Sequence, residues 1–414
     1  MKRICLFLLL FLSVFAGCQN SSDDDDPESP SGQAQDDDDD NDNNDDDNDD
    51  NNDNNDTTVD PNEGWATGYN CRAGIGFVTH YQNEKWALET LPEQTERVYL
   101  YALSFPTKTQ GWAVGSVRRD DIGLPIAGLI LRYENGEWLQ EETPARETGW
   151  SVHDIHMLNT REGWAIGGDS ATNGDLLMHY IDGAWQFVEA PALENAWHLE
   201  SIHVWSDQFG HAAGYYDATY PDLRRGLMLV YDGVSWQEEE LPEVAGSWTL
   251  NAVVFNDEAE GWAAGFGNEF YAPVILHYFD GAWRQEDWVG EDNTCGEFGF
   301  SASFSFIDRQ NGWLVESENV AARYAQDGWH DELPNIQQIV LHASSYFNSV
   351  ATISAMEMWA VGASMYTVVE PMDKTIGLIL HFDKGEWKRV VLPDIDFNDD
   401  AYWELTDVAF PLAD

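Results

Sequence analysis

The chain has 414 residues, of which 75 are acidic and 20 are basic, and its formal net charge at pH 7 is −55. This charge argues against nucleic acid and anionic lipid headgroups as partners, because both would be repelled. Hydrophobic residues make up 43% of the chain, which is enough for a large folded core.

The N-terminus predicts an export signal. Lys2 and Arg3 precede an almost wholly apolar run over residues 4–15. This run is too short to span a bilayer as a stable helix, and a basic start followed by an apolar segment is typical of secretory leaders.

Two small residues, Ala16 and Gly17, stand directly before Cys18. This order resembles the lipobox of bacterial lipoproteins. The resemblance implies removal of residues 1–17, lipidation of Cys18 and attachment to the bacterial cell envelope, with Gln19 favouring the outer membrane. An ordinary signal cut near Ala16, with Cys18 incidental, is the alternative.

Residues 18–62 are predicted to form a disordered acidic stalk behind the lipidated cysteine. Between Ser21 and Asp60 the chain has 19 acidic residues, no Lys or Arg, and only Ala34 and Val59 as apolar residues. Such a segment cannot bury a core, and its self-repulsion would extend it. Weak calcium binding by the stalk stays open, although no calcium-loop spacing is present. No other cofactor is predicted.

A short phrase, GWAVG at 111–115, returns in close variants throughout the rest of the chain. Its aromatic position falls at residues 65, 112, 164, 211, 262, 313 and 359. A period near 50 residues is typical of β-propeller blades rather than of the shorter helical repeats.

Each repeat contains four segments that read as strands. An alternating segment such as Val98–Phe105 precedes the GW phrase, and an apolar run such as Leu129–Tyr133 follows it. A turn such as Asp182-Gly183 then leads into the fourth segment. Asp-Gly and Asn-Gly supply the positive backbone angles of a tight hairpin.

The two ends of the repeat region complete each other. The phrase at Gly64 has no alternating strand before it, whereas Trp403–Phe410 is an alternating strand with no phrase after it. Pairing them yields seven complete sets of four strands and protects the open edges. The predicted fold is therefore all-β, a seven-bladed β-propeller over residues 63–414 whose C-terminal strand closes the ring with the N-terminal blade.

The phrase fits the space between blades, because Trp fills it while Ala and Gly allow sheets to approach. We therefore expect the phrase Trp residues to be core, and His211 to be a substitution in the same position. The GWAVG strand and the DG-x-W hairpin resemble bacterial propellers of the BNR and photosystem-assembly-factor type, and more loosely the kelch repeat, over residues 64–410. The resemblance implies a fold and no particular activity.

A ring of this topology has two faces. We call the face where the second-to-third and fourth-to-first connections emerge the upper face, and the opposite face the lower face. The interval from the phrase aromatic to the hairpin Trp is 26, 25 and 28 residues in blades two, four and seven, against 21 or fewer elsewhere. This surplus is predicted to lengthen three loops on the upper face. Insertions gathered on one face often mark the working face of a repeat protein.

These loops carry tyrosines, arginines and acids, which suit a recognition surface. The candidate binding residues are Arg118, Arg119, Asp121, Tyr215, Tyr216, Tyr220, Arg224, Arg225, Tyr366 and Lys374. Loops that merely tolerate drift are the alternative. Cys71 and Cys295 fall on the same face, and whether they form a disulfide stays open.

The sequence offers little support for catalysis. Metal ligands at fixed spacing, nucleophile elbows, phosphate loops and dinucleotide fingerprints are all missing. His153 and His156 should point to opposite sides of one strand and so cannot share an ion. A glycosidase-like pair of carboxylates stays open because acids are so numerous.

The sequence therefore favours a monomeric, non-enzymatic propeller scaffold, anchored to the membrane only by lipid, that binds an envelope or extracellular protein. A glycan-binding module is the alternative, and a glycoside hydrolase is less favoured.

Overall fold

Seven four-stranded antiparallel sheets build the described chain in a computed structural model. The structure describes residues 59–119, 124–171, 174–193, 195–217, 224–267, 273–286, 302–316, 320–325, 328–332, 335–336, 344–366, 374–390, 392 and 402–412. Four of the predicted functional residues, Cys18, Asp121, Tyr220 and Cys295, lie outside these ranges, as does the predicted stalk up to residue 58.

The strand bounds follow the four-segment repeat. In chain order the strands are β1 Glu63–Asn70, β2 Ile75–Gln82, β3 Lys85–Leu88, β4 Arg97–Thr107, β5 Gln110–Arg118, β6 Pro125–Glu134, β7 Glu137–Gln140, β8 Asp154–Asn159, β9 Glu162–Gly167, β10 Leu176–Ile181, β11 Ala184–Val188, β12 Trp197–Ser206, β13 Phe209–Tyr216, β14 Arg225–Tyr231, β15 Trp236–Glu238, β16 Ala252–Asp257, β17 Glu260–Phe266, β18 Pro273–Phe279, β19 Ala282–Glu286, β20 Ala302–Asp308, β21 Asn311–Glu316, β22 Val320–Ala325, β23 Gly328–Asp331, β24 Ser344–Ser354, β25 Glu357–Tyr366, β26 Lys374–Asp383, β27 Glu386–Val390 and β28 Trp403–Ala409.

Blade 1 combines both ends of the chain. Its sheet has the order β28-β1-β2-β3, and Ala66 of β1 lies opposite Val408 of β28. The other six blades each use four consecutive strands, from β4–β7 in blade 2 to β24–β27 in blade 7. The predicted seven-bladed propeller and its closure by the C-terminal strand are confirmed. No helix among the described residues is long and apolar enough to cross a membrane.

The GW phrase forms the second strand of each blade, where neighbouring blades cover both faces of the sheet. Its six Trp side chains, at residues 65, 112, 164, 262, 313 and 359, are at most 2% exposed. Trp65 lies between His80 of its own blade and Phe105 of the next, with ring centroids 4.3 and 4.0 Å away. Flat stacking on both sides buries a large apolar area. These Trp residues are core, as predicted.

Small residues let the strands of a blade approach each other. A Cβ atom at Gly115, the last residue of the phrase in blade 2, would collide with the backbone oxygen of Tyr99 in the neighbouring strand. The predicted hairpin turns also form. Asn135 and Gly136 have φ angles of 51° and 97°, and Asp182 and Gly183 have 54° and 80°.

The first strands line the centre of the ring, because each contacts the first strands of both neighbouring blades from β28 through β4, β8, β12, β16, β20 and β24. They surround the central channel. The second-to-third connections leave its upper end, and the Asp-Gly type hairpins leave its lower end.

Candidate functional site

Most of the predicted binding residues lie in strand ends at the upper face rather than in loops. Arg118 ends β5, Arg225 begins β14, and Tyr215 lies within β13. Tyr366 ends β25 and pairs directly with Lys374, the first residue of β26. The upper face therefore brings residues of blades 2, 4 and 7 to the same side of the ring, as predicted.

The predicted long loops are only partly present. In blades 2 and 7 the surplus residues lengthen the ladder of the second and third strands, which runs to the pairs Arg118↔Pro125 and Tyr366↔Lys374. The connection after β5 spans residues 119–124, shorter than the connection 168–175 of blade 3. Counting residues could not separate these cases, because alternating polar residues extend a ladder as readily as they extend a loop.

Arginine side chains lie over tyrosine rings along the upper face. The guanidinium carbon of Arg118 is 4.7 Å from the Tyr99 ring centroid, and Arg224 is 4.9 Å from that of Tyr215. Stacking of this kind fixes a cation on a rigid aromatic support. The backbone N–H of Arg119 closes the adjacent connection by donating to the Leu124 carbonyl, at 3.2 Å.

Tyr216, one of the predicted binding residues, is buried. It is the last residue of β13, and its side chain is only 7% exposed. Arg225 covers the ring at 4.9 Å and also lies 3.8 Å from the Glu238 carboxylate. Tyr216 therefore supports Arg225 rather than offering its own ring. Tyr215 keeps part of its surface, and burial followed by Glu200 raises its pKa to about 12.

Acidic and small polar side chains of the first strands cap the next blade around the channel. Asp407 accepts the backbone N–H of Leu103 at 2.7 Å. Asp154 accepts that of Ile202 at 2.8 Å, and Ser201 extends the series to blade 5. Innermost strands are sheet edges with unpaired N–H groups, and these side chains satisfy them. Asp154 and Asp407 therefore have a structural role.

Glu200 of β12 differs from these capping acids. Burial raises the pKa of its carboxyl to about 7, and the Asp175 carboxylate adds to the rise while His198 and Arg224 oppose it. The Asp175 carboxylate is itself held in place, because one oxygen accepts the backbone N–H of Leu199 at 2.7 Å. Its other oxygen is 3.4 Å from His198 Nδ1.

Tyrosines and a further carboxylate continue the polar rim on the other side of the channel. The Tyr346 hydroxyl donates to Glu404 at 2.5 Å. Burial first, and then Glu404, raises the pKa of Tyr69 well above its usual value. Tyr69 and Tyr101 rings meet edge to face at 6.1 Å, and Arg118 donates to the Tyr101 hydroxyl at 2.7 Å.

We call this rim the channel mouth. Its residues are Tyr69, Tyr101, His153, Glu200, Tyr215, Tyr346 and Glu404. Sequence reasoning missed most of them, because all but His153 lie within repeat strands and they come together only when the ring closes. The available signal was a polar or aromatic residue at the same position of successive repeats, as in Tyr101, His153 and Glu200.

His153 and His156 have different neighbours in the structure. His153 bonds Ser151 Oγ at 2.7 Å, whereas His156 faces His203 with ring centroids 4.3 Å apart, so the two histidines point to different neighbours as predicted. No group of three or more metal-ligating side chains converges within the described ranges. Asp154 uses its two carboxylate oxygens to accept the backbone N–H groups of Ile155 and Ile202.

Two other predicted features are located by the structure. His211 fills the Trp position of blade 4 and is fully buried. Its ring is stacked on that of Phe255 with centroids 4.1 Å apart, and its Nε2 is 3.0 Å from the Glu239 carboxylate.

Cys71 lies on the upper face directly after β1 and is partly buried. Cys295 is outside the described residues, so whether it pairs with Cys71 stays open. An open hollow of about 380 Å³ lies on the lower face of blade 3, away from all these residues.

Comparisons with known proteins show the fold and no more. No protein-family model and no curated protein matches the sequence. A solved protein from Lactobacillus plantarum is 14% identical with a TM-score of 0.52, and the match covers 84% of this chain and 99% of that one. A Mycobacterium tuberculosis puromycin-hydrolyzing peptidase is 9% identical with a TM-score of 0.51, over 83% of this chain and 53% of the peptidase.

YCF48 from Cyanidioschyzon merolae is also similar, at 14% identity and a TM-score of 0.44, over 72% of this chain and 86% of that protein. The chain spans about half the length of the peptidase. Similarity at this level of identity leaves the activity of this propeller open, because one fold serves unrelated functions.

Proposed function

We propose that this chain is a non-enzymatic, lipid-anchored envelope protein whose upper face binds a protein partner. One observation carries the proposal. The chain joins the propeller at the lower face, so a membrane tether attached there leaves the upper face free to meet other molecules.

The point of attachment follows from the strand directions. Strand β1 runs from Glu63 to Asn70, and Asn70 pairs with Ile75 at the second-to-third connection of the upper face. Its start therefore lies at the lower face. There Val59 forms a β-bridge with Leu412, and the Asp60 N–H donates to the Pro411 carbonyl at 2.9 Å.

The predicted lipid anchor and stalk would connect this lower face to the membrane. About 40 residues separate Cys18 from Val59, and an extended chain spans at most about 3.5 Å per residue. The stalk could therefore hold the propeller up to roughly 140 Å from the membrane, with the tether on the lower face. The upper face would be presented to envelope or extracellular proteins.

The chemistry of the upper face suits protein recognition. Arg118 and Arg224 are fixed on tyrosine rings, and Arg224 is held a second time by Asp217 at 3.4 Å. Side chains that are ordered before binding lose little entropy when a partner docks. Tyrosine and arginine are also the residues that contribute most at protein interfaces.

A glycan is the second candidate ligand, and the tyrosines of the channel mouth favour it. Tyr69, Tyr101 and Tyr346 bring phenol groups to the rim of the central depression, beside the Glu404 carboxylate. Aromatic faces flanked by hydrogen-bonding groups are what a sugar ring would need. A saccharide would then change tyrosine or tryptophan fluorescence at the channel mouth.

Affinity capture from the native envelope tests the proposed function. The full chain is purified in detergent and immobilised beside two variants: Arg118→Ala with Arg224→Ala on the upper face, and Arg284→Ala on the lower face. Arg284 is a matched control, because its guanidinium also lies over a ring, 3.8 Å from Phe279. We expect one protein to be retained by the parent and by Arg284→Ala but lost from the double variant. Equal retention by all three would contradict the proposal.

A further inference from the structure

We propose that His156 and His203 bind one copper(II) ion at the wall of the central channel, where blades 3 and 4 meet. The site is separate from the channel mouth, and it does not depend on a protein partner. Three observations support it: the separation of the two imidazole rings, a buried nitrogen without a hydrogen-bond partner, and the short side chains around the rest of the channel.

The two histidines occupy the same position of successive first strands. His156 in β8 lies opposite Trp164, and His203 in β12 lies opposite His211, which fills the Trp position of blade 4. The neighbours of each histidine along its strand are buried, whereas both histidines are partly exposed. Because the first strands line the channel, the exposed part of each ring meets the channel.

The separation of the two rings fits one ion held by both. Their centroids are 4.3 Å apart, and the ring planes are tilted by 60°. A metal–imidazole bond is about 2.1 Å long, so an ion in the plane of each ring lies about 3.2 Å from each centroid. The separation of the centroids then corresponds to an angle of about 85° between the two metal–nitrogen bonds.

This angle favours copper(II) over zinc. Adjacent ligands of a tetragonal copper(II) ion meet at about 90°, whereas the tetrahedral geometry of structural zinc requires about 109° and ring centroids about 5.2 Å apart. Copper(II) also binds nitrogen ligands more tightly than the other divalent ions of its series. The two imidazoles would occupy two positions of the ion, and water from the channel would occupy the others.

A buried nitrogen of His203 supports its role as a ligand. The Nδ1 atom is enclosed by protein, and no group among the described residues forms a hydrogen bond with it. Buried polar atoms of this kind are rare, because each has lost its hydrogen bonds to water without a replacement. A metal ion bound at Nδ1 satisfies this nitrogen, so we take Nδ1 as the ligand atom of His203.

The other blades leave space at this level of the channel. The residues at the same position of the other five first strands are Ser104, Val254, Ser305, Ala351 and Ala409. Each of these side chains is shorter than an imidazole, so the wall opposite the histidines is open to the ion and its water ligands. The formal charge of −55 also raises the concentration of cations around the protein.

Copper titration of the full chain tests the inference. The protein in detergent is titrated calorimetrically with copper(II) sulfate, in a buffer that contains glycine so that weak surface sites stay empty. We expect one bound ion per chain. His156→Ala and His203→Ala should each lower the affinity at least about tenfold. The control is His198→Ala, at an upper-face histidine whose side chain is 42% exposed, and it should leave the affinity unchanged.

The electron paramagnetic resonance spectrum of the copper-loaded parent gives a second readout that needs no variant. Nitrogen ligands split the copper signal, and the splitting pattern changes when the histidines carry nitrogen-15. We expect a pattern from two histidine nitrogens. A pattern from one histidine nitrogen, or from none, would overturn the inference.

The outcomes also separate this inference from the proposed function. Equal copper affinity of the parent and both folded variants would overturn the site, and loss of all binding in the glycine buffer would show an adventitious ion only. Thermal unfolding establishes that the variants fold, and if neither folds the spectrum of the parent decides. Capture of the envelope partner should be the same for the parent and His156→Ala, because the upper face is unchanged.

Discussion

The indole N–H of Trp185 in blade 3 donates a hydrogen bond to the Glu141 carboxylate of blade 2, at 2.8 Å. The same oxygen accepts the indole N–H of Trp112, at 3.3 Å, so one glutamate joins two tryptophans across the blade junction. Glu239 repeats the arrangement between His211 and Trp283 at the next junction but one. Burial raises the pKa of Glu141, and the two indole donors oppose the rise.

Removing this acceptor should destabilise the ring. Glu141→Ala leaves two indole N–H groups without a partner, and an unsatisfied buried donor costs about 1–3 kcal/mol. We expect the free energy of unfolding to fall by about that amount, measured by denaturant unfolding of the full chain. Glu386→Gln is the control and should change it by less than about 0.5 kcal/mol. A Glu141→Ala variant as stable as the control would contradict a role for this bond.

The core tryptophans should carry more of the stability than any polar contact. Trp65 is 0% exposed and stacked on both faces. Trp65→Ala should cost about 3–5 kcal/mol, because it removes an aromatic side chain and leaves a cavity between blades. Val234→Ala, at a side chain 86% exposed, should change stability by less than about 0.5 kcal/mol. Thermal unfolding of the two variants provides the comparison, and similar midpoints would contradict the core assignment.

The capping acids should make stability depend on pH. Burial raises the pKa of Asp154 to about 7 and that of Asp407 to about 6. The protonated forms therefore stabilise the fold fully below about pH 4, the ordinary range of an aspartate, and this contribution is lost as the pH rises through 6 and 7. His156 opposes this trend, because burial lowers its pKa to about 4 and its contribution is lost as the pH falls.

Asp407→Asn isolates the acidic contribution, since the amide oxygen can still accept the Leu103 N–H and the histidines are unchanged. The stability of this variant relative to the parent should be greater at pH 8 than at pH 5. The measurement is denaturant unfolding of both proteins at the two pH values. A difference that is the same at both would show that Asp407 does not titrate in this range.

The lipid anchor makes a prediction that concerns the start of the chain. Expressed with a palmitate analogue, the parent should incorporate label and sediment with membranes, whereas Cys18→Ser should do neither. An unlabelled parent would point instead to an ordinary signal cut near Ala16. The upper-face proposal would then lose its tether but keep its binding surface.

The repeat pattern was sufficient to predict the fold, because each blade contains its own strand and turn signals. The GW phrase, the Asp-Gly hairpins and the unmatched strand Trp403–Phe410 each have one structural explanation. The closure of the ring could also be predicted. The GW phrase at Gly64 lacks a preceding first strand, and the strand Trp403–Phe410 lacks a following phrase. β28 pairs with β1 as that count required.

The site was harder to predict, for two physical reasons. Glu200 and Tyr346 lie on different blades, and only the closed ring places both at one rim. Residue spacing also cannot tell a longer loop from a longer ladder, so it places Arg118 and Tyr366 in loops although both end strands. The burial of Tyr216 cannot be predicted from its own strand, because its packing partner Arg225 lies across the connection in the next strand.

Site-specific photo-crosslinking in intact cells tests the central claim most directly, because it asks which face meets a partner. Leu124 on the upper face and Val234 on the lower face are both apolar and exposed, at 59% and 86%. Each is replaced in turn by a photoreactive phenylalanine in the full chain. The account predicts a discrete crosslinked protein from position 124 and none from position 234. A product from position 234 alone, or none from either, would contradict a partner-binding upper face.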